Sequence, residues 1–166
     1  MPGRRLYFAY GSNLDPVQMK RRCPGSDAVS AAFADGVALT FPVRSDGDWQ
    51  GGVASIEPPH HVPPEEPQAS LDGGVWGVLY EVTAGDLRSL DMYEAVDEGM
   101  YRRGELTVRR PPGHGADVAI TYFAVRGFNE PAAPSTMYLA AIVRGAEYHG
   151  LPRAYLDRLR VVTTRC

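Results

Sequence analysis

Two groups of residues in this chain have types and spacings suited to chemistry. One is the run Gly11-Ser12-Asn13-Leu14, set directly after an apolar stretch; the other is a carboxylate about eighty residues further on, Glu94 in Leu90-Asp91-Met92-Tyr93-Glu94. Leu6-Tyr7-Phe8-Ala9-Tyr10 reads as a buried strand, which the glycine-led run turns sharply before Asp15-Pro16 opens a helix. Asp15 suits the cap, Pro16 has its φ preset for the first helical position, and Gln18, three residues after Asp15, would complete a capping box. A junction of this kind aims backbone N–H groups and the positive end of a helix dipole at whatever sits above the strand end, so it suits an oxyanion or a carboxylate. The same residues also fit an ordinary strand-turn-helix junction that binds nothing.

Glu94 is placed by a second helix. Thr83 reads as its N-cap with Asp86 three residues on, and Leu87, Leu90 and Glu94 recur at spacings of three and four along one face of residues 84–93. Glu94 falls at the C-terminal end of a face that otherwise packs inward. Burial and a negative helix terminus both raise a carboxyl pKa, and a carboxyl that titrates near neutrality can accept a proton and give it back.

Other elements follow from pattern. Residues 31–41 read as a strand region with an Asp35-Gly36 turn inside it, and Ser45-Asp46-Gly47-Asp48 as a polar loop. Residues 51–56 read as a strand whose two leading glycines predict a bulge or a close backbone approach. The proline-rich run from about 57 to 72, with its histidines and glutamates, predicts an exposed loop or flap. Residues 75–82 form a further strand, and 101–109 and 118–126 a hairpin closed by Pro111-Pro112-Gly113-His114-Gly115. The apolar face of 137–143 predicts a helix ended by Gly145, and 152–159 a closing helix. These elements predict a single α+β domain over residues 1–166, a small mixed, mostly antiparallel sheet or barrel carrying helices on one side.

Composition narrows the classes. A chain of 166 residues with a net charge of −3 and no long basic run does not suit nucleic acid; Lys20-Arg21-Arg22 and Arg102-Arg103 are small solvated patches. No stretch has the length of a membrane span or the form of a cleavable leader, so a cytoplasmic protein is expected. Cys23 and Cys166 give neither a disulfide framework nor metal-ligand spacing and read as free thiols.

Several separated segments then resemble one family in its own order. Tyr7-Phe8-Ala9-Tyr10-Gly11-Ser12-Asn13-Leu14 is similar to the signature of the γ-glutamylcyclotransferases, Gly51-Gly52-Val53-Ala54-Ser55-Ile56 and Val75-Trp76-Gly77-Val78-Leu79-Tyr80 to their next two strands, and Leu87 onward to the segment with their catalytic glutamate. Ser135-Thr136-Met137-Tyr138, Gly145-Ala146 and Gly150-Leu151-Pro152 resemble the C-terminal helical part. The resemblance implies the family's small β-barrel with peripheral helices, a reaction that closes 5-oxoproline from a γ-glutamyl compound, and no cofactor or metal. It implies Glu94 as the catalytic acid/base and Gly11, Ser12, Asn13 and Leu14 as donors to the substrate, the Asn13 amide among them. Tyr10, Tyr101, Tyr122 and Tyr138 match tyrosines that line the family's pocket, although core packing with the hydroxyl at the surface also accounts for each, and more readily for Tyr122 and Tyr138. A homodimer is expected from the resemblance alone.

Two departures stand out: Ala95 occupies a position where many relatives carry glycine, so a positive φ there would be strained, and the proline-rich loop matches no family motif. Competing readings are weaker. Glu94 and Glu98 could pair as in a glycosidase, but the expected helix end and Gly99 separate them. His60-His61 with Glu65-Glu66 lack the regular face of a metal site, and Ser12 has no neighbouring cue for a nucleophile triad. The substrate is expected to be a γ-glutamyl amino acid or a γ-glutamyl tag on an amine from a specialised biosynthetic pathway. A binding module that has lost catalysis is the rival from another class.

Overall fold

The computed structural model describes residues 3–112 and 115–165. A closed barrel is formed by β1 (Arg5–Ala9), β6 (Gly74–Val82), β2 (Asp27–Asp35), β7 (Tyr101–Arg109) and β8 (Ala116–Ala124), in that order. Its pairs are antiparallel except at the seam, where β1 meets β8 in parallel through Tyr7 and Ile120. β1 is thus enclosed by two neighbours, which is why its sequence is apolar on both faces: Tyr7, Phe8 and Ala9 are all buried.

A second sheet, β4 (Gly51–Glu57), β3 (Ala38–Ser45) and β5 (Gln68–Ala69), shares no strand ladder with the barrel but packs on it, Ala124 N–H of β8 donating to Ser55 Oγ of β4 at 2.9 Å. Sequence patterning predicts one sheet, because strand periodicity marks a buried face without saying which sheet buries it. The predicted strand at 31–41 proves to be the end of β2, the turn, and the start of β3, with β3 continuing through Pro42 by a bulge between Thr40 and Val43. The bulge lies there and not at Gly51-Gly52. The two glycines serve close approach instead: Gly52 N–H donates to Ala133 O at 2.9 Å, and a Cβ on Gly51 would lie 2.8 Å from Ser135 N.

Among the described residues four α-helices pack around the sheets: α1 (Pro16–Arg22), α2 (Ala84–Tyr93), α3 (Thr136–Tyr148) and α4 (Arg153–Arg160). Asp15 caps α1 through Val17 N–H at 3.2 Å, with Pro16 at the first position. The expected capping box does not form, because the Gln18 amide turns away to donate to Ser12 Oγ at 2.7 Å and Asn13 Oδ1 at 3.0 Å. In α2 the Thr83–Asp86 capping box is complete. Helix α3 runs through Gly145 instead of ending there: glycine lets the helix pass against the backbone of Leu14 and Asp15, and the stop comes at Gly150, at φ 68°, where Gly150 N–H reaches Glu147 O and Leu151 N–H reaches Ala146 O.

The proline-rich run is not a free flap. Arg126 pairs with Glu57 at 2.5 Å and Glu66 at 2.8 Å, β5 joins β3, and Val62 and Ala69 are buried, so the loop is tied down at both ends. Cys23 is buried and unpaired, its thiol pushed up to about 12 by burial first and Asp86 second. Cys166 and the Gly113-His114 part of the hairpin turn lie outside the described residues. Among the described residues no helix is long and apolar enough to cross a membrane.

Candidate active site

β1 ends at a cavity whose floor is the turn that follows it. The short 3-10 turn Ser12–Leu14 closes through Leu14 N–H on Gly11 O and Asp15 N–H on Ser12 O, both at 3.0 Å. The amides of Gly11, Ser12 and Asn13 have no acceptor among the described residues, and all three residues line the cavity. Leu14 does not: its side chain is wholly buried and its amide is the one that closes the turn, so the expected role for it in binding is not supported by its position. The Asn13 side chain works within the turn, donating to Tyr7 Oη at 3.0 Å and accepting from Gln18 and Arg22.

Helix α2 delivers Glu94 to the same cavity. Leu87 and Leu90 are buried and seat the helix, and Glu94 is its C-cap, with N–H donating to Leu90 O at 2.8 Å. The helix stops there because Ala95 N–H turns back to Met92 O and Val96 N–H to Asp91 O, the paired closure that needs a left-handed residue; Ala95 supplies it at φ 52°. An alanine held at that φ is strained by about 1–2 kcal/mol, partly offset by the lower entropy of its unfolded chain. Ala95→Gly should therefore raise stability by about 1 kcal/mol, seen as a Tm increase of about 2–4 °C in a thermal melt. One turn earlier, Asp91 accepts from Tyr122 Oη at 2.6 Å and pairs with Arg103 at 2.5 Å, which fixes α2 to β7 and β8 and with it the position of Glu94.

The Glu94 carboxyl has no hydrogen-bond partner among the described residues. Burial raises its pKa to about 7, and the nearby positive charge of Arg22, the lesser cause, acts the other way. It is therefore poised between charged and neutral at physiological pH.

Of the tyrosines expected at the site, Tyr10, Tyr101, Tyr122 and Tyr138 all line the cavity, and none hydrogen-bonds Glu94. Three have their protons committed: Tyr10 Oη donates to Tyr122 O at 2.6 Å, Tyr101 Oη to Ala54 O at 2.6 Å, and Tyr122 Oη to Asp91. Tyr138 Oη differs, because it accepts from Ala54 N–H at 2.8 Å and keeps its own proton free to donate. Tyr7 Oη, accepting from Asn13, is in the same condition. Burial holds the Tyr7 and Tyr138 phenols above their ordinary value, so both remain donors near neutral pH.

Sequence reasoning missed Tyr7, Arg22, Trp49 and Tyr93, which also line the cavity. Tyr7 looks like any core residue of a buried strand. Arg22 was expected in a solvated basic patch and instead reaches the cavity, because its place at the end of α1, one turn after Gln18, turns it toward Asn13. Nothing marked Trp49, whose ring meets Tyr138 edge-on at 5.0 Å. Glu98 is exposed, outside the cavity, and the proline-rich loop contributes no residue to it. His60 and His61 lie edge to face at 4.3 Å on that loop, and among the described residues no three His, Cys, Asp or Glu side chains converge as metal ligands do.

A titrating carboxyl, open amides and free phenolic donors in one cavity make a site for an acyl reaction in which a proton moves and an oxyanion forms. The comparisons with known proteins point to one family. Residues 74–159 match the model of the AIG2-like family. A γ-glutamylcyclotransferase from Bos taurus is 32% identical over 160 residues, 95% of this chain and 78% of that protein, and the one from Homo sapiens is 31% identical over the same shares. A solved structure of a γ-glutamyl cyclotransferase superposes with a TM-score of 0.84 at 30% identity, covering 98% of this chain and 89% of that one. The chain belongs to the γ-glutamylcyclotransferase family.

Proposed function

We propose that this chain is a γ-glutamylcyclotransferase in which Glu94 carries the protons and the turn after β1 holds the charge. The observation that carries this reading is the Glu94 carboxyl, free of hydrogen-bond partners among the described residues and raised to about 7, in one cavity with the open amides of Gly11, Ser12 and Asn13.

A γ-glutamyl compound has an α-ammonium four atoms from its γ-carbonyl carbon. Glu94 removes one proton, the amine attacks that carbon, and the carbonyl electrons move onto oxygen, where backbone amides and the Tyr7 or Tyr138 hydroxyl stabilise them. The attacking nitrogen gives up a second proton, the isopeptide C–N bond breaks, and the departing nitrogen leaves as an ammonium. Two protons leave one nitrogen and two arrive on the other, so one carboxyl that cycles between states can carry each in turn. Water is not consumed. Holding the glutamyl chain folded for attack contributes up to about 7–11 kcal/mol of the barrier, and the positioned acid/base a further ~10²–10⁴-fold.

The substrate on this reading is a γ-glutamyl amino acid of general metabolism, glutathione metabolism included, or a γ-glutamylated amine of a specialised pathway, and the enzyme is a cytoplasmic homodimer without a cofactor, membrane or nucleic-acid partner. Incubation with a panel of γ-glutamyl amino acids and amines should release 5-oxoproline, detected by mass spectrometry, and light scattering should give twice the chain mass. Absence of 5-oxoproline across the panel would leave the binding-module reading in its place.

A further inference from the structure

We infer that Arg22 is the cavity's carboxylate-recognising residue, holding a substrate carboxylate in a bidentate pair; the inference rests on the cyclotransferase reading for the identity of the substrate. Among the described residues Arg22 is the only cationic side chain that lines the cavity. The chain has many arginines, and several near the barrel are already paired: Arg4 with Asp27, Arg103 with Asp91, Arg126 with Glu57 and Glu66, Arg144 with Asp15. Arg22 has no carboxylate partner of this kind among the described residues. One of its N–H groups donates to Asn13 Oδ1 at 3.2 Å, and its guanidinium carbon lies 4.5 Å from the centre of the Tyr93 ring.

Those two contacts fix the guanidinium without satisfying it. The Tyr93 ring face holds its centre and Asn13 anchors one nitrogen, while the other four N–H donors have no acceptor among the described residues, and a planar fork of this kind matches a carboxylate in shape and charge. The charge of Arg22 acts on the Glu94 carboxyl without an ion pair joining the two, and both side chains line the same cavity, where a ligand can meet both. A γ-glutamyl amino acid offers two carboxylates of equal chemistry, the α-carboxylate of the glutamyl part and that of the leaving amino acid. A γ-glutamylated amine offers only the first.

The test compares γ-glutamyl-alanine with γ-glutamyl-ethylamide, which differ only in the leaving-group carboxylate. In Arg22→Gln, KM for γ-glutamyl-alanine should rise about 10–100-fold, the loss of one charged hydrogen-bonded pair, and Arg22→Lys should recover only part of it. If KM for the ethylamide changes less than threefold, the leaving carboxylate is the ligand; if both substrates lose equally, it is the α-carboxylate. Binding measured by calorimetry in a Glu94→Gln background, with and without Arg22→Gln, should show the same loss where turnover is blocked. That arm decides the role of Arg22 even if the wild-type protein releases no 5-oxoproline, a result that would count against the proposed function instead. KM and Kd unchanged within threefold for both compounds, or a change confined to the pH profile, would overturn the inference.

Discussion

Glu94→Gln should lower kcat/KM for 5-oxoproline release by about 10²–10⁴-fold while leaving the fold intact, because glutamine keeps the volume of the side chain and removes only its ability to exchange a proton. KM should move little, since Glu94 does its work on protons in flight more than on the bound substrate. The wild-type profile of kcat/KM against pH should rise through about pH 7, where the Glu94 carboxyl loses its proton, and flatten above it. The variant should lack that limb. Full activity in the variant would remove Glu94 from the mechanism.

The same substitution has a second readout with a definite sign. Glu94 binds its proton more tightly folded, near pH 7, than unfolded, near the ordinary value of 4.5. Below about pH 4.5 the group is neutral in both states and has no effect on stability. As pH rises from there to about 7, the unfolded chain ionises first, so the wild type loses up to ~3 kcal/mol. Glutamine carries no such penalty. Thermal melts should therefore show Glu94→Gln more stable than wild type at pH 8 and nearly equal at pH 4, the exchange of stability for function expected at a site that holds an ionisable group half-buried.

What the sequence discloses and what it hides divide along physical lines. Helix α2 was legible to the residue, because its cap, its inward face and its stop are local, whereas the strained φ of Ala95 was signalled by the resemblance, which puts glycine at that position. The turn after β1 was legible for the same reason. Contacts between distant segments were not. The separate β4-β3-β5 sheet, the partner of each tyrosine hydroxyl, and the convergence of Arg22 and Trp49 on the cavity depend on which strands become neighbours, which periodicity does not encode. Gly145 shows the limit most clearly: locally a glycine late in an apolar helix reads as a stop, and only the approach of a segment 130 residues earlier makes it a contact point within a continuous helix.

That contact carries the second large effect. A Cβ at residue 145 would lie 2.5 Å from Asp15 N and closer still to Leu14 C and O, all backbone atoms that cannot rotate aside. Either α3 or the turn must move. Helix α3 is held by Leu139, Ala141, Ile142 and Ala146, all buried, and by Tyr138 on Ala54, while the turn is held by Gln18 and Tyr7 through Ser12 and Asn13. Both sides of the clash therefore belong to the site. Gly145→Ala should cost about 3 kcal/mol through overpacking, a Tm decrease of about 6–12 °C, in spite of alanine's better helix propensity. It should also lower kcat/KM more than tenfold at temperatures where the variant is fully folded, since displacing the open amides by about 1 Å can cost up to ~10²-fold in rate. Gly85→Ala in α2 is the control: its Cβ would meet nothing nearer than 3.6 Å, so the same chemical change there should leave Tm equal or higher by up to about 1 kcal/mol of stability. If Gly145→Ala melts and turns over like the wild type, α3 is not what holds the turn in place, and the amides of Gly11, Ser12 and Asn13 owe their orientation to α1 and β1 alone.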